Sequence, residues 1–283
     1  MKQNKTVIIL ITFIVVAICS LFIFNYVVDK NNQVQTDQVV PLVVENKCLK
    51  GVYIDEYQMC GEEIGRSVED RPIYSFKVGD GPIKLLFVGG LHTGKEQNTV
   101  DLAEAMLDYY ASSTKSIPEV VSMYFVPTLN VDGVANNTHT NANNINLNRN
   151  WGTDNWKTDV YHPSSGIVEG GGGIAPYSEP ETLSLYNHIQ SLHPDLVVVW
   201  HSKAGTVEDS DVEAADEIGG LYATAAEYKQ IDEWMAYEVT GDFVTDMGEE
   251  GVVAMEVELE TREIEFERNL KGIEAVFDYF ENN

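Results

Sequence analysis

Lys84-Leu85-Leu86-Phe87-Val88-Gly89-Gly90-Leu91-His92 is the stretch on which the reading of the fold turns. A short apolar run that ends in Gly-Gly reads as a buried strand. Beyond it, Val100, Leu102, Ala103, Met106, Leu107 and Tyr110 recur at helical spacing, which predicts a helix from residue 96 to about 112. Residues 121–126 form the next apolar run, closed by Pro127. Strand, helix and strand in this order are the building unit of an α/β domain.

The same alternation continues downstream. Ser178-Glu179-Pro180-Glu181 opens a helix, with Ser178 as the predicted N-cap and acids in the first turn. That helix should reach about residue 192, with Pro194 just beyond. Leu196-Val197-Val198-Val199-Trp200 is apolar throughout and predicts a central strand. Residues 252–259 read as another strand and 265–279 as a final helix. The stretch 152–177 is rich in Gly, Ser and Asp, and a loop of that length in a compact domain is usually functional or mobile. Its glycines 170–173 are not a phosphate cradle, because no strand leads into them and no Lys-Ser/Thr follows.

The chain has 283 residues and a formal net charge of −27. Nucleic acid and anionic membrane surfaces are therefore poor partners, and the charge speaks first to solubility. Residues 6–28 carry no charge and are almost wholly apolar. A bilayer-spanning helix needs about 20 such residues. With Lys2 and Lys5 before it and Asp29 and Lys30 after it, residues 1–28 read as an N-terminal membrane anchor or signal, with the rest outside the cytoplasm. If the segment is cleaved, the protein is secreted. Residues 29–47 read as a linker and 48–283 as one domain. Cys19 falls in the apolar segment; Cys48 and Cys60 face an oxidising compartment, where a disulfide between them is expected.

His92 follows one predicted buried strand and His201 follows another, at the strand ends where open α/β sheets place their sites. Glu96 lies four residues after His92. Two imidazoles and one carboxylate form a catalytic zinc set that leaves a coordination position open. Arg149, in Asn144-Ile145-Asn146-Leu147-Asn148-Arg149-Asn150-Trp151, is the only arginine between Arg71 and Arg262. Its planar fork matches a carboxylate bidentately. Glu256 and Glu258 stand two apart on a predicted strand and so share a face; periodicity does not choose between them. His162, His188 and His193 read as structural.

These residues resemble the zinc carboxypeptidase (carboxypeptidase A-like) family. Ile64-Gly65-Arg66-Ser67-Val68-Glu69-Asp70-Arg71-Pro72-Ile73 looks like its opening, Gly89 to Glu96 like its first metal motif, and Leu129-Asn130-Val131-Asp132-Gly133 like its Asn-Pro-Asp-Gly turn. Leu147-Asn148-Arg149-Asn150-Trp151, Ser178-Glu179-Pro180-Glu181-Thr182, Trp200-His201-Ser202 and Val257-Glu258-Leu259 follow in family order. The resemblance spans about residues 60–280. It implies a mixed, twisted sheet of about eight strands with helices on both faces. It further implies one Zn²⁺ held by His92, Glu96 and His201, and Glu258 as general base. Asn148 and Arg149 would hold the substrate's terminal carboxylate, Tyr237 would cap the substrate, and Ser202 would help line the subsite.

Three positions depart from the family pattern. The spacing between the first His and Glu96 is three residues, Thr93-Gly94-Lys95, instead of the usual two. Asn146 stands where an Asp usually orients the first zinc histidine. His139 stands near the place of an arginine that stabilises the oxyanion, a role a protonated His139 could take. The resemblance also puts the pocket floor between Gly241 and Glu258, where Asp242, Asp246, Glu249 and Glu250 occur. An acid pointing into the pocket would select terminal Lys or Arg; which one points in stays open.

The reading that results is a zinc metallocarboxypeptidase outside the membrane. It would hydrolyse the C-terminal amide bond of peptides with a free C-terminal carboxylate, cell-wall peptides among them. Two other readings stand beside it. One is an amidase or deacylase acting on small amino-acid conjugates; the other is a weakened, non-catalytic binding member of the family.

Overall fold

The computed structural model describes residues 52–54, 59–112 and 116–283. The expected anchor, the linker and Cys48 lie outside these residues; Cys60 is disulfide-bonded. Among the described residues no helix is long and apolar enough to cross a membrane. All the elements below belong to the unit Cys48–Asn283.

The strands of the main sheet are β1 (Val52–Ile54), β2 (Met59–Arg66), β3 (Pro72–Gly79), β4 (Ile83–Val88), β5 (Val121–Val126), β8 (Leu196–Ser202), β9 (Thr206–Asp209), β10 (Lys229–Ile231) and β11 (Ala254–Leu259). Between β5 and β8 in the chain, β6 (Val160–His162) and β7 (Gly166–Val168) form a separate hairpin inside the long stretch read from sequence as a loop. The sheet has nine strands in the order β1-β2-β3-β5-β4-β8-β11-β9-β10. It is mixed: β5, β4, β8 and β11 run parallel to their neighbours at the centre, whereas β1, β2 and β3 are joined by antiparallel pairing.

The helices are α1 (Gln97–Ser112), α2 (Val131–Asn136), α3 (Pro180–Leu192), α4 (Glu213–Ala226), α5 (Phe243–Glu249) and α6 (Phe266–Asn282). Side-chain alternation sorts them onto two faces. Leu85, Phe87, Val198, Trp200, Met255 and Val257 point into a core with Met106, Ile218, Tyr222 and Phe277 from α1, α4 and α6. Leu86, Val88, Val197, Val199 and Ala254 point the other way, toward Leu185 and Ile189 of α3 and Phe243 and Met247 of α5. Each fully buried side chain of this size contributes about 1.5–3 kcal/mol, and β8 is buried along its whole length because it serves both cores.

One expected cap is corrected. The N-cap of α3 is Glu179, not Ser178. Pro180 supplies a ready-made first helical residue with no N–H to satisfy. The Ser178 hydroxyl instead donates to Glu179 Oε1 and accepts from Asn150.

Parallel alignment at the centre positions the site. Glu258 of β11 lies beside His201 of β8, and Val88 of β4 lies beside Val199. The carboxyl ends of three adjacent strands therefore open onto one place. Glu256, Glu258 and His201 all alternate onto the face of α3 and α5, opposite Trp200, Met255 and Val257.

Candidate metal centre and active-site cavity

His92 leaves β4 through a turn that only glycine can make. Gly90 has φ +58°, and a Cβ on Gly89 would meet two carbonyl oxygens at 2.6 Å. The chain then needs one residue more than the usual spacing before Glu96. Gly94, at φ +64°, absorbs it in a short 3-10 turn that leads into α1. The result is that His92 Nδ1 and Glu96 Oε2 lie 3.5 Å apart.

His201 completes the group from β8. Its Nδ1 is 3.2 Å from His92 Nδ1 and 3.7 Å from Glu96 Oε2. Ligands bonded tetrahedrally to zinc at ~2.0–2.1 Å stand about 3.3 Å from one another, so these three atoms already have the spacing of a ligand set. The outward nitrogens fit the same use. His92 Nε2 is 2.7 Å from Asn146 Oδ1, and His201 Nε2 is 3.6 Å from Glu256 Oε1. The Asn146 acceptor on His92 Nε2 favours the tautomer with a lone pair on Nδ1, which is how outer partners orient metal-binding imidazoles; His201 Nε2 makes no hydrogen bond and has the Glu256 carboxylate nearby. Asn146 therefore supplies the contact expected of an Asp, without the charge.

The electrostatics agree with a cation site. Burial works to raise the Glu96 carboxyl, but His92 and His201 hold it well below the usual carboxylate range. Burial also opposes charge on His201, and Glu256, Glu96 and Glu258 overcome it, raising His201 well above its ordinary value. Protons held this way are the ones a metal ion displaces.

His139 is brought to the same place, but on the far side of Glu96. Its Nδ1 lies 3.6 Å from Glu96 Oε1, its ring centroid lies 3.9 Å from that of His92 with the planes tilted by 31°, and its ligand atom is within 4.8 Å of those of His92 and Glu96. His139 is as near to Glu96 as His201 is and forms a possible metal group with His92 and Glu96; what favours His201 as third ligand is its 3.2 Å approach to His92 Nδ1, on the same Glu96 oxygen. Burial, with His92 adjacent, pushes His139 down to about 2, so the imidazole here is neutral, not the protonated group envisaged from sequence. The fold supplies a guanidinium instead: Arg262 Nη1 stands 4.0 Å from Glu96 Oε1 and donates to the Ser202 carbonyl at 2.7 Å.

Beside the metal group opens a cavity of about 470 Å³, lined by His92, His201, Asn148, Arg149, Tyr237 and Glu258 among others. Arg149 is 6% exposed, and its Nε has no partner. Asn148 is fixed on both sides: Oδ1 accepts from Phe243 N at 2.8 Å and Nδ2 donates to Glu256 Oε1 at 2.9 Å. Glu256 is thus engaged with Asn148 and His201. Glu258 is not; its Oε2 is buried without a partner. Burial raises its pKa to about 7, with His201 opposing and Glu96 and Glu256 adding to the rise.

Ser202 does not line this cavity. Its Oγ donates to Asn98 Oδ1 and its N–H to Glu96 Oε2, so it braces the metal group from behind. Of the acids expected near the pocket floor, Asp242 lines the cavity. Asp246 accepts the Tyr177 hydroxyl, and Glu249 accepts the Asp154 N–H. Glu208, Trp234 and Glu256 also line it; no motif in the sequence marks the first two.

Comparison with known proteins agrees with this geometry. The model of the zinc carboxypeptidase family matches residues 58–208. The chain belongs to the zinc carboxypeptidase family. Murein peptide amidase A of Escherichia coli K12 is 29% identical over 189 residues, which cover 64% of this chain and 74% of that protein. The fold of this family member is similar to the crystal structure of murein-tripeptide amidase from Escherichia coli O157, with a TM-score of 0.59, 24% identity and coverage of 77% and 90%. It is also similar to bovine thrombin-activatable fibrinolysis inhibitor, with a TM-score of 0.64, 18% identity and coverage of 79% and 90%.

Proposed function

We propose that this protein is a zinc-dependent metallocarboxypeptidase that hydrolyses the amide bond next to a free terminal carboxylate. One observation carries the reading: Arg149, buried and with Nε unpartnered, opens into the same cavity as the His92–Glu96–His201 group and Glu258. The Arg149 guanidinium donates through Nη1 to the Asn148 carbonyl, which leaves the buried Nε–H to meet an anion.

The residues divide the work. Arg149 and Asn148 hold the carboxylate, and Tyr237, at the cavity wall, covers the substrate. His92, Glu96 and His201 would hold a zinc ion, which when bound would supply Lewis acidity toward water and the scissile carbonyl. Glu258 takes a proton from the attacking water at its unpartnered Oε2 and returns it to the leaving nitrogen. A carboxyl near pH 7 suits both transfers. Arg262 and the neutral His139 both approach Glu96 Oε1 and are not among the residues that line Arg149's cavity.

Similarity to murein peptide amidase A favours a peptide of the cell wall as substrate. It also keeps an amidase acting on amino-acid conjugates in view. A location outside the membrane rests on the uncharged segment 6–28, which lies beyond the described residues. The deciding experiment compares matched peptides with a free and an amidated C-terminus, in zinc-loaded protein with and without chelator. Cleavage of the free acid alone, lost on chelation, is expected. Equal cleavage of both would make this an amidase that does not read the carboxylate; failure to take up zinc would leave a binding protein.

A further inference from the structure

Glu96 presents its two oxygens to two different places. Oε2 faces Nδ1 of His92 at 3.5 Å and Nδ1 of His201 at 3.7 Å. Oε1 faces Nδ1 of His139 at 3.6 Å. The first set is the zinc group described above. The second consists of an oxygen and an imidazole that the first set leaves over.

Ring spacing decides whether His139 belongs to the same ion. Bonds of ~2.0–2.1 Å put the ring centroids of two imidazoles on one ion about 4.5 Å or more apart. His92 and His201 satisfy this, at 4.8 Å and edge-on. His92 and His139 do not, with centroids 3.9 Å apart and planes tilted by 31°. Rings lying side by side in this way serve neighbouring positions, not one. Their offset matches the ~3.5–4 Å between the ions of two-metal sites. A carboxylate with one oxygen toward each position is the bridge that such a pair needs.

The position beside His139 also has its own approach. His139 lines a second cavity, of about 220 Å³, which shares no lining residue with Arg149's cavity. His162 lines it as well, edge-on to His139 with the centroids 6.0 Å apart, so a further imidazole stands within reach. Arg262 Nη1 is 4.0 Å from Glu96 Oε1, but its hydrogen bonds go to the Ser202 carbonyl and hydroxyl at 2.7 and 2.6 Å. Its charge lowers cation affinity there without filling the position.

We propose that His139 and Glu96 Oε1 hold a second divalent transition-metal ion, bridged to the first through Glu96 and completed by water from the smaller cavity. An imidazole donor selects a zinc-like ion over Mg²⁺ or Ca²⁺. Two divalent ions about 4 Å apart repel, and the second has fewer protein ligands, so it should bind about 10²-fold or more weakly than the first. The inference rests on the zinc group of the reading above and not on which bond is cut.

The test titrates the metal-free full chain with Co²⁺ and follows bound metal per chain, with electron paramagnetic resonance reporting whether two ions are neighbours. The wild type should take up one ion tightly and a second more weakly, with spin coupling between them appearing only as the second fills. His139→Gln should keep the first ion and lose both the second and the coupling. A wild type that saturates at one ion overturns the proposal, whether or not the variant folds. A second ion that shows no coupling, or that persists in His139→Gln, also overturns it, since the acidic surface would then be holding that ion. So does a single ion whose affinity falls in His139→Gln, which would make His139 a ligand of the first ion. Failure to bind any ion sinks the zinc group itself, and the peptidase reading with it.

Discussion

At one end of the cavity, His92, Glu96 and His201 come from the carboxyl ends of two central strands and the turn that follows the first. At the other end, Glu208, Trp234 and Asp242 come from a four-residue strand near the sheet edge and from loops. The metal end is set by buried, parallel, hydrogen-bonded backbone; His92 Nε2 has the Asn146 amide oxygen behind it, and the Glu256 carboxylate stands 3.6 Å from His201 Nε2. The far wall has acids set beside acids. Chemistry that must be placed to fractions of an ångström sits on rigid elements, while the far wall sits where residues can change without disturbing the core. Glu256 joins the two ends, since its carboxylate reaches both His201 and Asn148.

The sharpest way to break this division is to exchange the two glutamates of β11. Glu258→Gln should keep zinc, measured as bound metal per chain, and lower kcat by about 10²–10⁴, the range for loss of a general acid–base group. Glu256→Gln should keep more of kcat but weaken substrate and metal binding, because it loosens Asn148 and His201 together. The reverse pattern, with Glu258→Gln active and Glu256→Gln inert, would reassign the base and merge the two ends into one.

The two ends also differed in how far the sequence could be read. The metal end announces itself locally: an apolar run, a Gly-Gly turn, a histidine and a glutamate within a few residues, then Trp200-His201 after another apolar run. The strands 83–88, 121–126 and 196–202 and the helix from 97 to 112 appear where periodicity puts them. The far wall has no such signal. Thr206–Asp209 is too short to show alternation, and only pairing with β11 turns Glu208 inward. Asp246 and Glu249 looked as eligible as Asp242, but contacts with Tyr177 and Asp154 engage them elsewhere. Arg262 is distant in sequence from Glu96 and reaches it only because β11 lies beside β8. Long-range register, not local pattern, decides these residues.

A second test probes the metal end at its one weakened contact. Asn146 accepts from His92 Nε2 without a charge. Asn146→Asp should tighten zinc by about 10-fold, judged by competition with a chromogenic chelator, because outer partners of metal-bound histidines influence affinity by roughly 10–100-fold. Unchanged affinity would show that the hydrogen bond alone, and not its charge, holds the imidazole. In either case any preference among terminal residues should not move, since Asn146 lies outside the cavity that Glu208 lines.

The smallest effect tests the far wall through stability. The Glu208 carboxyl sits near pH 8 in the fold, against an ordinary value of 4.5. Between those values the folded state keeps a proton that the unfolded chain has released, so this residue makes stability fall as pH rises from about 4.5 to about 8. Below that window it imposes no penalty. Glu256 and Asp242 face it in the cavity, and Glu233 adds to the repulsion. Glu208→Gln should therefore stabilise the zinc-loaded protein by ~1–3 kcal/mol at pH 8 and by little at pH 4.5, measured by urea unfolding. A gain of equal size at both values would trace to packing and not to charge.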